Sequence, residues 1–425
     1  MNVIIQPSAL RGTIPAIASK SAAHRLLICA AFADAPTKIA LNASSEDIEA
    51  TARCLAALGA RVERVEDGLV VSPAAAVPSG SRLDCGESGS TLRFLLPVAA
   101  AVADSVSFVG TGRLAERPLS PLYEELSAHG VAMSEQGVFP LRLQGRLEGG
   151  SFALAGNVSS QFATGLLLAA PLMAGETRIA IAEPVESLPY IELTIAAMKR
   201  FGVEVRSERA DGVLVLSVAA DAAYRSPGEI ACEGDWSNAA IWLAAGALSA
   251  DGVTVGGLEL ASVQGDRAIL GALALMGARI GRMGHRAHVE RDALRAATID
   301  ISATPDLAPA LALVASLAEG ETRITGAARL RLKESDRLET VRSALNALGA
   351  EVDIAADSLV IHGVHALAGG VVDAARDHRI AMMAAVAGAF AQGPVTIRGA
   401  ECVAKSYPAF FDDFAQLGGI VRKEC

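Results

Sequence analysis

The 425-residue chain exceeds what one hydrophobic core normally serves, so two domains of about 200 residues each are expected. Apolar residues make up 52% of it, yet no uninterrupted apolar run of about 18 residues appears, which excludes a bilayer-spanning helix and predicts a soluble protein. A formal net charge of -10 disfavours nucleic acid as a partner, while a locally cationic pocket for small anions stays compatible with it.

Met1-Asn2-Val3-Ile4-Ile5 enters a strand-like pattern at once and leaves no room for a basic, apolar leader, so a cytoplasmic address is expected. Cys29, Cys54, Cys85, Cys232, Cys402 and Cys425 stand far apart with no CxxC pair, and are expected to be reduced, mostly buried thiols. An apolar helical stretch ending in Gly before a strand start recurs at Gly59, Gly130, Gly202, Gly277, Gly349 and Gly418. Each Gly fits a left-handed helix C-terminus. Spacings of 69 to 75 residues are too long for a solenoid and predict six small α/β modules, three per domain. In the first module, Ser21 to Ala33 and Ser45 to Leu58 read as helices, and Val62 to Val71 alternates as strands do. The turn signal Ser226-Pro227-Gly228 marks the boundary, followed by a fresh strand from Glu229 to Glu233. If the first module begins at Ser19, the strand Asn2 to Gln6 belongs with the C-terminal half. The domains are then 19–229 and a discontinuous 1–18 plus 230–425.

Ala18-Ser19-Lys20-Ser21 opens a helix with Ser21 and Arg25 on one face and Lys20 beside them. A helix start with two added cations suits an anion, and it also fits an ordinary cap with a solvated lysine. The small-residue loop from Cys85 through Gly86, Glu87, Ser88 and Gly89 to Arg93 fits a phosphate or carboxylate cradle or a plain Gly-rich turn, and Arg117 downstream favours the cradle. Ser159-Ser160-Gln161 opens another helix with more hydrogen-bonding groups than a cap needs, and Ser187 and Tyr190 are similar polar extras. Asp306 precedes a long apolar helix, as a cap or as a base. Lys333 and Arg337 are four apart and read as sharing a helix face, where like charges are unfavourable unless an anion lies between them; a solvated helix start is the competing reading. Asp377-His378-Arg379 precedes another apolar helix, and Lys405 sits at a loop-to-helix junction. His285 and His288 read as lying on an exposed turn with no further ligands nearby, so no metal is expected.

Taken in order, these motifs resemble the 5-enolpyruvylshikimate-3-phosphate synthase family over nearly the whole chain. The residues that carry the resemblance are Ser19-Lys20-Ser21 with Arg25, Gly86 to Arg93, Glu116-Arg117-Pro118, Ser159-Ser160-Gln161-Phe162, Lys333-Glu334 with Arg337, Asp377-His378-Arg379 and Ala404-Lys405. The resemblance implies an α/β fold of two inside-out domains, each of three βαβαββ repeats, with the active site in the cleft between them. It implies transfer of the enolpyruvyl (1-carboxyvinyl) group of phosphoenolpyruvate to the 5-hydroxyl of 3-phosphoshikimate, with release of phosphate, in chorismate and aromatic amino-acid biosynthesis. Carried over, Lys20, Ser21, Arg25, Ser159, Ser160, Gln161, Ser187, Tyr190, Asp306 and Lys333 look like 3-phosphoshikimate contacts. Lys20, Gly89, Arg117, Gln161, Arg337, Arg379 and Lys405 look like the phosphoenolpyruvate site. Asp306 and Glu334 look like the acid–base pair, with Lys20, Lys405 and His378 as further catalytic candidates.

No metal, organic cofactor, nucleic acid or membrane is implied, and a monomer is expected. Ala18, Glu87 and Arg329 depart from the family's usual Gly, Asn and Asn; Glu87, an acid beside an anion pocket, is expected to turn away or pair with an arginine. Gly89 keeps the pocket floor small, which implies sensitivity to glyphosate. The related UDP-N-acetylglucosamine enolpyruvyl transferase shares the fold and normally uses a loop cysteine, which the loop from Thr111 to Pro118 lacks. A non-catalytic anion-binding repeat protein is the other alternative.

Overall fold

Strand β1 (Asn2–Gln6) and strand β2 (Gly12–Pro15) begin a body that the chain leaves after Ile17 and rejoins at Glu233. The computed structural model describes residues 1–424, so the thiol expected at Cys425 lies outside the described residues. Between the two visits, Ala18–Cys232 makes a second body with its own hydrophobic core.

In that inserted body the first repeat holds α1 (Lys20–Ala31), β3 (Thr37–Ala40), α2 (Glu46–Ala57), β4 (Arg61–Val65) and β5 (Gly68–Ser72). The second holds β6 (Ser81–Asp84), α3 (Gly89–Val102), β7 (Ser105–Val109), α4 (Leu122–Ala128), β8 (Ala132–Met133) and β9 (Leu141–Gln144). The third holds β10 (Ser151–Ala155), α5 (Ser160–Ala169), β11 (Thr177–Ala182), α6 (Leu188–Arg200), β12 (Arg206–Ala210) and β13 (Val213–Val218). Strand β14 (Glu229–Ala231) then runs parallel to β3, with Ile230 opposite Ile39. It takes the place in the first sheet that β6 and β10 take in theirs. The strand expected to open the other half therefore completes this one.

The rejoining chain supplies α7 (Trp236–Leu248), β15 (Val253–Gly256), α8 (Ile269–Leu275), β16 (Arg279–Met283) and β17 (Arg286–Glu290), and β2 pairs parallel to β15 as the missing first strand. Next come β18 (Thr298–Asp300), α9 (Ala308–Ala315), β19 (Glu321–Thr325), α10 (Arg337–Asn346), β20 (Glu351–Ala355) and β21 (Ser358–His362). The last repeat holds β22 (Gly370–Asp373), α11 (His378–Ala389), β23 (Val395–Arg398), α12 (Phe410–Gln416) and β24 (Ile420–Glu424). It is closed by β1, where Asn2 lies opposite Arg398 on one side and Glu424 on the other.

Every sheet among the described residues has four strands in one plan, for example β6-β7-β9-β8. In that sheet the first two strands are parallel, which obliges a helical crossover, and the last two form a hairpin; where β1, β2 or β14 completes a sheet, the pairing is the same but the chain connection is not. The crossover helices α1, α3 and α5 are apolar on nearly all sides and buried along their length. They pack on one another, as α7, α9 and α11 do in the other body. Helices therefore form each core, and the sheets cover it with one face outward, as the exposed–buried alternation along β10 shows. Helices α3 and α5 approach closely at Gly165, where a Cβ would meet the Arg93 carbonyl oxygen at 2.5 Å and Pro97 Cγ at 2.9 Å. Pro97 cannot donate to that carbonyl, so α5 fits against the bare spot.

The six recurring glycines all have φ between 80° and 98°, the left-handed turn that ends each second helix. Cys29, Cys54 and Cys85 are buried free thiols, and Cys232 and Cys402 are half-buried ones. Among the described residues, no helix is long and apolar enough to cross a membrane.

Candidate active site

The chemistry-bearing residues collect at helix beginnings. In the inserted body, Ser19, Ser88 and Ser159 cap α1, α3 and α5, and none of these helices carries an acid in its first turn. By contrast, α2 carries Glu46, Asp47 and Glu49 there. Three helix ends with partial positive charge and no acid of their own in the first turn suit an incoming anion.

Lys20, the first residue of α1, places Nζ 2.8 Å from Asp47 Oδ2. Arg25, one turn on, is buried and fully directed: Nε donates to Thr194 Oγ1 at 2.8 Å, Nη1 to the Ser21 carbonyl at 2.6 Å and Nη2 to the Tyr190 carbonyl at 2.9 Å. Its guanidinium lies 5.0 Å from the Phe94 ring centre. Burial brings its pKa down to about 9, so it remains charged near neutrality. Gln161 donates to Ser90 Oγ at 2.9 Å and accepts from Arg93 at 2.7 Å, which ties the starts of α3 and α5 together. Gly89 lies against Arg117: a Cβ there would come within 2.6 Å of the guanidinium Cζ and 3.0 Å of Nη2. Ser160 is the first residue of α5, and Ser187 precedes α6 in a left-handed conformation with φ 56°. Glu87 is turned onto the following loop, where a Cβ on Gly112 would sit 2.5 Å from its Cδ.

The other body holds a denser set. Arg337, 1% exposed, donates to both oxygens of Asp377 (2.7 and 3.2 Å), to Asp306 Oδ1 (2.7 Å) and to Glu334 Oε2 (2.7 Å). Asp306 also accepts Lys333 at 3.1 Å and Arg379 at 3.3 Å. Arg379 reaches Ser237 through its carbonyl at 3.2 Å and its hydroxyl at 2.5 Å. Its Nε has no acceptor among the described residues. Burial pushes Asp306 up, but Arg379, Lys333 and Arg337 overcome it and hold the carboxyl well below the usual carboxylate range. Burial pushes Lys333 down, only partly offset by Asp306. Asp266, buried and then repelled by Asp306, is pushed up to about 6. His378 and Lys405 are both buried, His378 at the start of α11 and Lys405 at the end of the turn Ala400–Lys405 that packs against α11.

Several sequence expectations change in detail. Lys333 does not share a helix face with Arg337: Lys333 is extended and α10 begins at Arg337, capped by Asp336. The anion that reconciles the two cations is Asp306 itself. Asp306 caps nothing; it sits in the short turn Pro305–Leu307, and the apolar helix after it, α9, is only eight residues long. His288 lies in β17 with Nδ1 2.9 Å from Thr254 Oγ1, not on a turn. Arg329 donates to the Ser302 carbonyl. Sequence reasoning did not single out Thr164, Thr194, Ser237, Ser335 or Asp266. The available signal was a hydroxyl or acid inside an otherwise apolar helical run, as at Thr164 in α5.

A family model described as EPSP synthase (3-phosphoshikimate 1-carboxyvinyltransferase) matches residues 4–414. The 3-phosphoshikimate 1-carboxyvinyltransferase of Clostridium kluyveri is 41% identical, covering 98% of this chain and 97% of its own, and that of Clostridium perfringens is 40% identical, covering 99% of each. Among solved structures, EPSP synthase from Acinetobacter baumannii superposes with a TM-score of 0.80 at 26% identity, over 99% of this chain and 100% of that one. The enolpyruvyl transferase NikO from Streptomyces tendae shares the fold, with a TM-score of 0.79 at 19% identity over 99% and 98% of the two chains. Six repeats of one plan, helix starts bearing Lys20, Gly89 and Gln161, an Asp306–Arg337–Arg379 cluster and a match from residue 4 to residue 414 lead to one assignment: the chain belongs to the EPSP synthase family.

Proposed function

We propose that the chain transfers the enolpyruvyl group of phosphoenolpyruvate to the 5-hydroxyl of 3-phosphoshikimate and releases phosphate. Membership of the EPSP synthase family and relatives bearing that enzyme's name support it. The observation that carries the chemical reading is the Asp306 carboxylate, half-buried and gripped by Lys333, Arg337 and Arg379.

Two multiply charged anions repel one another, and preorganised cations answer that repulsion more effectively than water does. In this reading phosphoenolpyruvate is held by Lys20, Gly89, Arg117, Gln161, Arg337, Arg379 and Lys405. 3-Phosphoshikimate is held by Lys20, Ser21, Arg25, Ser159, Ser160, Gln161, Ser187, Tyr190, Asp306 and Lys333. Glu334, with His378 and Lys405 as further groups, delivers a proton to the methylene carbon of phosphoenolpyruvate. Asp306 takes the proton of the 5-hydroxyl as its oxygen bonds to the neighbouring carbon. The tetrahedral adduct then loses phosphate, which carries off the proton that Asp306 took, and Glu334 recovers a proton from the new methyl group to restore the double bond. An arriving anion that draws Lys333 and Arg379 away from Asp306 leaves burial less opposed, and so strengthens the base when the hydroxyl needs one. The steps are proton transfer, addition and elimination, and the reading invokes no metal or organic cofactor. A cytoplasmic monomer acting on small molecules is part of the same proposal, and size-exclusion chromatography with light scattering tests the monomer.

The deciding assay measures phosphate release from phosphoenolpyruvate with 3-phosphoshikimate, with UDP-N-acetylglucosamine, or with no acceptor. Release with 3-phosphoshikimate alone is expected. Release with the nucleotide sugar, or none with either acceptor, overturns the proposal.

A further inference from the structure

His24, on α1, is buried to 1% exposure and makes one side-chain hydrogen bond, Nδ1 to Thr51 Oγ1 on α2 at 2.6 Å. Thr51 Oγ1 continues to Thr91 Oγ1 on α3 at 2.7 Å, and Thr91 Oγ1 donates to Ser88 Oγ at 2.8 Å. Ser88 is the cap of α3, accepting Thr91 N at 3.3 Å. All four side chains are buried. Resting on the reading of Gly89 and its neighbours as a phosphoenolpyruvate site, we infer that His24 is a positioning residue: its Nδ1–H starts a one-way chain that fixes where α3 presents Gly89 and Ser90.

The direction follows from counting protons. A threonine hydroxyl has one, and that of Thr91 goes to Ser88 Oγ at 2.8 Å or, at 3.5 Å, to the Asp47 carbonyl, away from Thr51 in either case. Thr91 must therefore accept from Thr51, and Thr51, its own proton given, must accept from His24. The imidazole is thus the Nδ1–H tautomer. Its other nitrogen is a bare lone pair with no partner among the described residues, and the ring stands perpendicular to Phe94 at 6.1 Å between ring centres. Burial, opposed by Asp47, brings the pKa to about 3, so the ring is neutral and keeps that tautomer across the working range.

The chain joins three helix starts at the proposed site: α1 with Lys20, α2 with Asp47, which binds Lys20, and α3 with Gly89 and Ser90. Its last member sits next to Gly89, which lies against Arg117, and Ser90 receives Gln161. Breaking the chain frees the first turn of α3 to shift, and that turn faces both Arg117 and Gln161. Arg25, the next residue, is tied instead to Thr194, Thr164 and Tyr190 on α5 and α6. Loss of the His24 chain should therefore move phosphoenolpyruvate binding, whose Gly89 and Arg117 lie at the displaced turn, further than 3-phosphoshikimate binding, which shares Lys20 and Gln161 but also rests on Arg25 and Tyr190.

The test contrasts two substitutions that a packing role and a positioning role rank oppositely. His24→Asn keeps an N–H donor near Nδ1 but leaves a cavity, whereas His24→Leu fills space better and removes the donor. Expected are a KM for phosphoenolpyruvate within about threefold of wild type for His24→Asn and raised about tenfold for His24→Leu, with the KM for 3-phosphoshikimate changed less than about twofold in both. Thr51→Val interrupts the chain at its middle with little change of shape, and should reproduce the phosphoenolpyruvate shift even if His24→Leu fails to fold. Nitrogen-15 NMR of histidine-labelled protein should show one neutral Nδ1–H ring that does not titrate from about pH 8 to pH 5.5. Equal or smaller effects in His24→Leu than in His24→Asn, equal movement of both KM values, or an Nε2–H tautomer overturns the inference. Wild-type protein that releases no phosphate overturns the proposed function instead, and the two failures are thereby distinguished.

Discussion

Replacing Gly89 by alanine should make the protein slightly more stable and a much poorer binder of phosphoenolpyruvate. Gly89 is the first residue of α3, capped by Ser88, and its φ is not in the left-handed region, so the backbone accepts alanine. Removing a glycine from a helix contributes up to about 1 kcal/mol of stability, less at the first position. The new methyl group, however, would lie 2.6 Å from Cζ of Arg117 and 3.0 Å from its Nη2, and Nη1 is nearer still. Ordinary contact lies beyond about 3.4 Å, so the guanidinium must retreat by about 1 Å. The obstruction is the end of a flexible side chain, which moves without unfolding anything. If Arg117 holds the substrate's anionic groups, losing one charge-assisted hydrogen bond costs about 1.5–3 kcal/mol, or roughly 10- to 150-fold in affinity. Steady-state kinetics with phosphoenolpyruvate varied at saturating 3-phosphoshikimate, together with a urea unfolding curve, read both effects. A KM within about twofold of wild type refutes the placement of Arg117, whatever the stability change.

Three further outcomes follow from the same geometry. Arg337→Met leaves Asp306, Glu334 and Asp377 without the guanidinium that binds all three, so urea unfolding should show a loss of about 3–5 kcal/mol, and a loss below about 1 kcal/mol contradicts that account. Because Glu87 is turned onto Gly112, Glu87→Asn should change the KM for phosphoenolpyruvate little; a drop of more than about tenfold, 1.4 kcal/mol, shows that its charge reaches the site. Two buried groups give stability opposite pH slopes. His24 titrates near 3 folded and about 6.5 unfolded, so the unfolded chain takes the proton first and stability rises with pH between those values. Asp266 titrates near 6 folded and about 3.9 unfolded, so its contribution is complete below about pH 4 and is lost as pH rises through 6. Relative to wild type between about pH 4.5 and 6, His24→Asn should flatten or reverse the rise in stability with pH and Asp266→Asn should steepen it, each by up to about 1.4 kcal/mol per pH unit. Variants that parallel wild type over that range would show that neither group is perturbed as described.

What the sequence made legible was mostly local. The six glycines read as helix ends because a left-handed residue is a one-position requirement, and all six have positive φ. Ser19 and Ser159 read as helix starts because a cap acts within three residues. Illegible were the relations that need the chain to return. Strand β14 lies about 190 residues from its partner β3, and nothing within Glu229–Ala231 states which edge it will join. Likewise, Lys333 and Arg337 looked like a like-charged pair on a helix because the acid between them, Asp306, comes from another element. Arg25 read as one of two cations at a helix start suited to an anion, and nothing local showed that the hydroxyl and carbonyl that direct it sit on α6, at Thr194 and Tyr190.

The two bodies prepare for anions by different physics, and the caps make the difference visible. In the inserted body, serines cap α1, α3 and α5, so each helix end keeps its partial positive charge, equivalent to about half an elementary charge, for whatever arrives. In the other body, Asp235 caps α7 and Asp377 caps α11, which neutralises those ends, and Asp377 also holds Arg337. There the attraction comes from side-chain cations held in place by carboxylates, an arrangement that is rigid before any ligand binds and needs little reorganisation when one does. A neutral serine cap has no proton to gain or lose in the working range, while the Asp306 set changes its balance whenever one of its acids is protonated. Asp266, pushed up to about 6 beside Asp306 and Arg379, is the acid there that falling pH reaches first, so what Arg379 holds should respond to acid before what the serine-capped ends hold.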